Sequence, residues 1–215
     1  MLRILLADDH SIVRRGLKDL LEAHPGWSVC AEAATGREAV ELCIKHRPQV
    51  AVLDLSMPEL NGLEATRRIR QEVPDTEVLV FTMHESEELV REVLAAGARG
   101  YLLKSEAADQ LLPAVESLAK HRPFFLGRIS ELVLEGFLKA GAAEKVASAA
   151  RRLTSREREI VQLLAEGKSN KQIAQLLDLS VKTVETHRAA VMRKLELGSL
   201  PDLVRFAIRN QIIQP

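Results

Sequence analysis

Aromatic residues make up only 3% of the 215-residue chain, so its interior has to be built from aliphatic side chains. Cysteine is nearly absent. The two present, Cys30 and Cys43, are too few for a disulfide framework and lack the spacing of a metal site, so both read as reduced, buried thiols. There is no secretory signal pattern and no apolar run long enough to cross a bilayer, so the expected location is cytoplasmic, with no membrane partner. Net charge is lacking too, with 30 basic and 30 acidic residues, but the two signs are unevenly placed. Residues 1–120 carry 14 Lys and Arg against 20 Asp and Glu, while residues 121–215 carry 16 against 10. An acidic half joined to a basic half points to nucleic acid as the partner of the second.

What is present is a set of short apolar runs that each stop at a chemically active residue. Val50-Ala51-Val52-Leu53 ends in Asp54, Ile4-Leu5-Leu6-Ala7 in Asp8-Asp9, Val78-Leu79-Val80-Phe81 in Thr82, and Tyr101-Leu102-Leu103 in Lys104. Unbroken runs of this length fit strands covered on both faces, as in a parallel sheet. All C-terminal strand ends of such a sheet lie on one edge, where open α/β sheets bind ligands. Asp8, Asp9, Asp54, Thr82 and Lys104 should therefore converge.

Between the strands the spacing is helical. Ser11–Glu22 places Ile12, Val13, Leu17, Leu20 and Leu21 on one face, closed by His24-Pro25-Gly26. Trp27–Ala33 reads as a further strand, and Gly36–His46 as a helix with Val40 and Ile44 inward. Leu60–Glu72 and Ser86–Ala96 follow, and a last helix carries Leu111, Leu112, Val115 and Leu118, bent or shifted in its start by Pro113. Five strands and five helices with right-handed crossovers make residues 1–120 a doubly wound α/β domain. Phe124-Phe125 with Ile129, Leu132, Val133 and Phe137 suggests an amphipathic helix. Ala-rich residues 140–150 complete a partly helical linker over 121–150. Residues 151–215 read as a second, all-α domain of four helices. Thr154 and Ser155 open the first, Ser169 the second, Ser180 caps Val181–Leu195, and Ser199 or Pro201 starts the last. The tight Asp178-Leu179-Ser180 connection makes the middle pair a helix-turn-helix.

Three carboxylates in one pocket repel, so one of them should have a raised pKa unless a cation intervenes. Mg²⁺ suits such a pocket because it takes a few carboxylate oxygens, keeps waters, and adds phosphoryl oxygens. Asp54 could then accept a phosphoryl group as a nucleophile, with Lys104 and Thr82 stabilising the product. Any one strand-end residue could belong to an ordinary surface ion pair; five at separate strand ends argue for a site. His10 reads as a helix-start residue, because Mg²⁺ prefers oxygen donors.

Asp8-Asp9-His10, Asp54 with Met57-Pro58 and Gly62, Thr82, and Tyr101 with Lys104 resemble the receiver domain of bacterial two-component response regulators. The resemblance implies a flavodoxin-like five-stranded sheet of order 2-1-3-4-5 and phosphorylation of Asp54 by a sensor histidine kinase. It also implies Mg²⁺ held by Asp9, Asp54 and the Ser56 main-chain carbonyl with help from Asp8, and a switch formed by Thr82 and Tyr101, whose ring moves inward. Ser105 departs from the pattern, since many relatives carry Pro after the Lys, which leaves their cis peptide unsupported here. Ser56 and His84 stand where side chains can tune water access and so the lifetime of the phosphoryl group.

In the basic half, Leu153-Thr154-Ser155-Arg156-Glu157, Gly167, Asn170-Lys171, Ile173-Ala174 and Val181-Lys182-Thr183-Val184-Glu185-Thr186-His187 resemble the LuxR-type helix-turn-helix of NarL/FixJ regulators. The resemblance implies that Val181–Leu195 enters the major groove of double-stranded promoter DNA. Helical spacing puts Val184, Val191 and Leu195 in the core, with His187 at its border. Lys182, Glu185, Thr186 and Ala189 fall on the opposite face, with Thr183 beside them. Lys171, Lys182, Arg188, Arg193 and Lys194 are candidates for phosphate contact. The reading is a phosphorylation-controlled transcription factor that dimerises on activation, with no enzymatic activity beyond its own phosphorylation and autodephosphorylation. A Mg²⁺-dependent phosphohydrolase would need a second acid/base that Asp54-Leu55-Ser56 lacks. A regulator that binds DNA without phosphorylation would have no use for the intact pocket.

Overall fold

The computed structural model describes residues 1–84, 86–127, 129–131 and 153–214. The chain divides into two compact units, one built on its N-terminal two thirds and one chiefly on its C-terminal third. In the first, strands β1 (Leu2–Ala7), β2 (Trp27–Ala33), β3 (Val50–Leu53), β4 (Glu77–Thr82) and β5 (Gly100–Leu103) form one sheet in the order β2-β1-β3-β4-β5. Every pairing is parallel. The doubly wound sheet and its strand order are those the sequence predicts.

Helices α1 (Ser11–Glu22), α2 (Gly36–His46), α3 (Gly62–Glu72), α4 (Glu87–Ala95) and α5 (Ala107–Ala119) connect the strands. Alternation along each strand sends successive side chains to opposite faces. Ile4, Leu6, Val50, Val52, Leu79, Phe81 and Leu102 meet Leu17 and Leu21 of α1 and Leu111, Val115 and Leu118 of α5 in one cluster. Burying an aliphatic side chain of this size contributes roughly 1.5–3 kcal/mol each.

The structure departs from the sequence reading at several helices. Ile12 is 86% exposed and Ile44 43% exposed; in α2 it is Cys43, not Ile44, that turns inward beside Val40. Cys43 is buried and Cys30 half-buried, both as free thiols. Helix α3 starts at Gly62 rather than Leu60, and α4 at Glu87 with Ser86 as its N-cap. Helix α5 runs through Pro113 from a start at Ala107. Phe124 is not helical. It pairs with Gly100 of β5 in a parallel bridge. The rest of the expected amphipathic helix, from Leu132, and the Ala-rich linker lie outside the described residues.

The second unit comprises α6 (Ser155–Ala165), α7 (Asn170–Leu177), α8 (Val181–Lys194) and α9 (Leu200–Arg209). Thr154, Ser169, Ser180 and Ser199 each accept a main-chain N–H with the side-chain oxygen at a helix start, which is why these polar residues stop and start the chain where they do. Asp178 adopts a left-handed conformation (φ 52°) between α7 and α8. Ile160, Leu163, Ile173, Leu177, Val184, Val191, Leu203 and Ala207 form the core.

Candidate functional site

Register fixes the site. Ala7 lies opposite Leu53, Leu53 opposite Val80, and Thr82 opposite Leu103, so the residues after β1, β3 and β5 leave the sheet on the same edge. Asp8 and Asp54 are almost fully buried there, at 1% and 3% exposure. The Lys104 ammonium donates to Asp8 Oδ2 at 2.7 Å and to Asp54 Oδ2 at 2.9 Å, although 96 and 50 residues, respectively, separate it from them. It also lies 5.8 Å from the centre of the Phe81 ring, within reach of a cation–π attraction. Asp9 is exposed beside them. Ligand atoms of Asp8, Asp9, His10 and Asp54 all lie within 4.8 Å of one another.

Main-chain groups hold these carboxylates in place. The Asp54 N–H donates to Ala7 O at 2.8 Å and the Asp8 N–H to Ala33 O at 3.2 Å. Asp8 Oδ1 accepts the His10 N–H at 2.8 Å, and Arg14 donates to Asp8 O at 2.6 Å. His10 is the N-cap residue of α1, as its position predicts, and its Nδ1 lies 2.8 Å from Asp9. Burial pushes the Asp54 carboxyl above the ordinary range, against Lys104 and the Ser56 N–H, which hold it down. Burial lowers Lys104, but Asp8 and Asp54 outweigh it and hold the ammonium above its usual range. The pocket is thus an anionic cup with one cation already in it. Three carboxylates at this spacing could hold a metal ion.

Thr82 and Tyr101 form a neighbouring pair rather than part of the ion-paired cluster. Thr82 is fully buried, and its hydroxyl oxygen accepts the His84 N–H at 3.2 Å. The Tyr101 ring is also fully buried, with its hydroxyl donating to the His84 carbonyl at 2.5 Å. Two loop atoms of His84 therefore join the two side chains. Ser56 is half-buried. No peptide bond of the described residues is cis, that after Lys104 included.

On α8, Lys182, Glu185, Thr186 and Ala189 are exposed, Val184 and Val191 are fully buried, and His187 is half-buried between them. That division is the one helical spacing gives. Lys171 and Arg193 are exposed and Arg188 half-buried. Two candidates are engaged within the unit. Thr183 bonds Ser180 Oγ through both its N–H, at 3.0 Å, and its hydroxyl, at 2.8 Å. Lys194 donates to Glu157 Oε2 at 2.7 Å. The Thr186 hydroxyl donates back to Lys182 O at 2.9 Å.

The first unit matches the family described as response regulator receiver domain over residues 4–116. Residues 151–207 match the bacterial regulatory proteins of the luxR family. The chain belongs to the two-component response regulators. The regulator is 38% identical over 217 residues to the oxygen regulatory protein NreC of Staphylococcus epidermidis, across 99% of this chain and 100% of that one. Among solved structures it is similar to a LuxR-family response regulator from Aurantimonas, with 39% identity and a TM-score of 0.59 over 63% of this chain and 97% of that one. It is also similar to the response regulator RcsB in a complex with DNA, with 28% identity and a TM-score of 0.58 over 95% and 96%. The regulator therefore combines a receiver domain with a LuxR-type helix-turn-helix DNA-binding domain, the constitution of a two-component transcription regulator.

Sequence reasoning missed Phe81 and Arg14 as supports of this regulator's acidic edge. Phe81 was legible as the residue before Thr82, but only the fold places its ring beneath Lys104. Arg14 had no signal, because its target is a main-chain carbonyl.

Proposed function

We propose that a sensor histidine kinase phosphorylates Asp54 in a Mg²⁺-dependent reaction, and that the phosphoryl group promotes dimerisation and binding to promoter DNA. The observation that carries this reading is the Lys104 ammonium held between two buried carboxylates at the carboxyl edge of the sheet. The donor set suits a hard cation, since Asp8, Asp9 and Asp54 offer oxygens within 4.8 Å of one another. Those three residues and the Ser56 main-chain carbonyl would hold Mg²⁺, which when bound supplies positive charge and a position for a phosphoryl oxygen.

The chain's own groups do the rest. An Asp54 carboxylate oxygen takes the phosphoryl group, the O–P bond forming as the N–P bond to the kinase histidine breaks. Lys104 exchanges its bond to Asp54 for one to the phosphoryl oxygens, and the Thr82 hydroxyl turns to donate to another. The Tyr101 ring, whose hydroxyl donates to the His84 carbonyl, is held inward in that state. A local change of charge thereby biases a two-state surface. The side chains of Ser56 and His84 set how fast water removes the phosphoryl group. No other catalysis is assigned to the chain.

Residues 1–120 serve as the phosphoacceptor domain, 121–150 as the linker and 151–215 as the DNA-binding domain. Glu185, Thr186 and Ala189 of α8 face base edges, and Lys171, Lys182, Thr183, Arg188, Arg193 and Lys194 position the domain on the backbone, with Lys194 leaving Glu157 for a phosphate. A dimer would span two half-sites about one helical turn apart. Among the described residues no helix is long and apolar enough to cross a membrane, which agrees with work in the cytoplasm. The test is incubation with acetyl phosphate and Mg²⁺, read by phosphoprotein gel, size-exclusion chromatography and footprinting on genomic fragments. The wild-type chain should be labelled, dimerise and gain DNA affinity, and Asp54→Asn should do none of these. Equal dimerisation and DNA affinity in both chains would reject the reading.

A further inference from the structure

Strand β5 is the last of the sheet, so one side of it would present unpaired main-chain groups. It does not, because the chain beyond α5 turns back along it. His121 takes a left-handed conformation (φ 57°) and its Nδ1 lies 2.9 Å from Glu77 Oε1 at the start of β4. Ser117 fixes the next residue twice: its carbonyl accepts the Arg122 N–H at 3.0 Å and its hydroxyl donates to Arg122 O at 3.1 Å. The Phe124 N–H then donates to Arg99 O at 2.9 Å, and Phe124 O accepts the Tyr101 N–H at 3.1 Å. Phe124 and Leu126 pack on the cluster that contains Leu102 and Leu118. Gly100 stands at the pairing point because a Cβ there would lie 2.8 Å from Leu79 and 2.9 Å from Leu118.

Tyr101 thus links the loop after β4 to Phe124. Its hydroxyl reaches His84, which bonds Thr82, and its main-chain N–H reaches Phe124. Residues 122–126 are also the first of the segment that leads in sequence to the DNA-binding domain.

We infer that Phe124 is a signalling residue: the strap of residues 122–126 reads the state of Tyr101 through the edge of β5 and passes it to the linker. This rests on the proposed switch of Thr82 and Tyr101. A single bridge of two hydrogen bonds on a sheet edge is at the weak end of tertiary structure, so a small shift of β5 makes or breaks it. The buried ring and the seated strap occur together in this structure, and both are assigned to the activated state.

Hydrogen–deuterium exchange on the full chain tests this without any variant. Acetyl phosphate with Mg²⁺ should slow exchange in the peptides covering Arg99–Leu103 and Arg122–Leu126 together, by about fivefold or more. Unchanged exchange in a wild-type chain shown to be phosphorylated overturns the inference. Phe124→Ala should still be phosphorylated at the wild-type rate but lose the gain in DNA affinity, and Phe124→Leu should restore it. If Phe124→Ala keeps the whole gain, the strap is structural only. A wild-type chain that takes no phosphoryl group at Asp54 sinks the proposed function first, a result distinct from either of these.

Discussion

One added methyl group at Gly62 should disable the receiver domain. The Cβ of an alanine there would lie 2.1 Å from the Asp54 carbonyl oxygen and 2.9 Å from both the Asp54 carbonyl carbon and Leu55 Cα. All three are main-chain atoms, so no rotamer relieves the clash. Ordinary contact begins at 3.4 Å, and the oxygen would have to retreat by about an ångström or more. The Gly62 N–H also donates to Leu55 O at 2.9 Å, so the start of α3 cannot swing away without losing that bond. Overpacking of this kind costs roughly 1–3 kcal/mol. Displacing a reacting group by about 1 Å costs on the order of 10²-fold in rate. Gly16 is the control: it is exposed within α1, and a Cβ there would meet nothing within 4 Å. Gly16→Ala should stabilise by about 0.5–1 kcal/mol, because a helix-interior glycine gives up more backbone freedom on folding. Urea unfolding and the rate of labelling by acetyl phosphate would be measured for both. A Gly62→Ala chain that unfolds and is labelled like the wild type would refute the reasoning.

Asp54→Asn should raise the melting temperature at neutral pH in Mg²⁺-free buffer. The folded-state pKa of Asp54 lies above 3.8, chiefly through burial, so its contribution to stability is greatest at low pH and is lost as pH rises through the raised value. The advantage of asparagine should therefore shrink as pH falls toward the ordinary carboxylate range, and a wild type that melts higher at neutral pH would contradict the sign. Lys182→Ala should weaken binding to all DNA sequences and reduce the salt slope by about one, whereas Glu185→Ala should alter base preference. Equal effects of both on every site would overturn the assignment of readers and positioners. Thr154→Ala removes the oxygen that accepts the Glu157 N–H at 3.2 Å in a reciprocal cap and should cost about 1 kcal/mol in denaturant titration; no loss would mean that the Glu157–Lys194 pair alone holds this end of α6.

What the sequence determined was whatever follows from local pattern. Apolar runs such as Val50–Leu53 mark buried parallel strands, and handed crossovers between them leave few sheet orders. Thr154, Ser169, Ser180 and Ser199 mark helix starts because a side-chain oxygen satisfies a free N–H over three residues. The convergence of Asp8, Asp54 and Lys104 was legible for the same reason: parallel strands end on a common edge. Period alone could not say how wide the covered stripe of each helix is, so Ile12 and Ile44 read as inward although they face solvent. Nor could it show that α3 begins only at Gly62, where packing against the Asp54 main chain leaves no space for a side chain. The Phe81 ring beneath Lys104, the Tyr101 hydroxyl on a main-chain carbonyl and the return of Phe124 to the edge of β5 depend on groups far apart in sequence. Main-chain carbonyls and N–H groups are the same at every residue, and only the tertiary fold selects which of them a side chain meets.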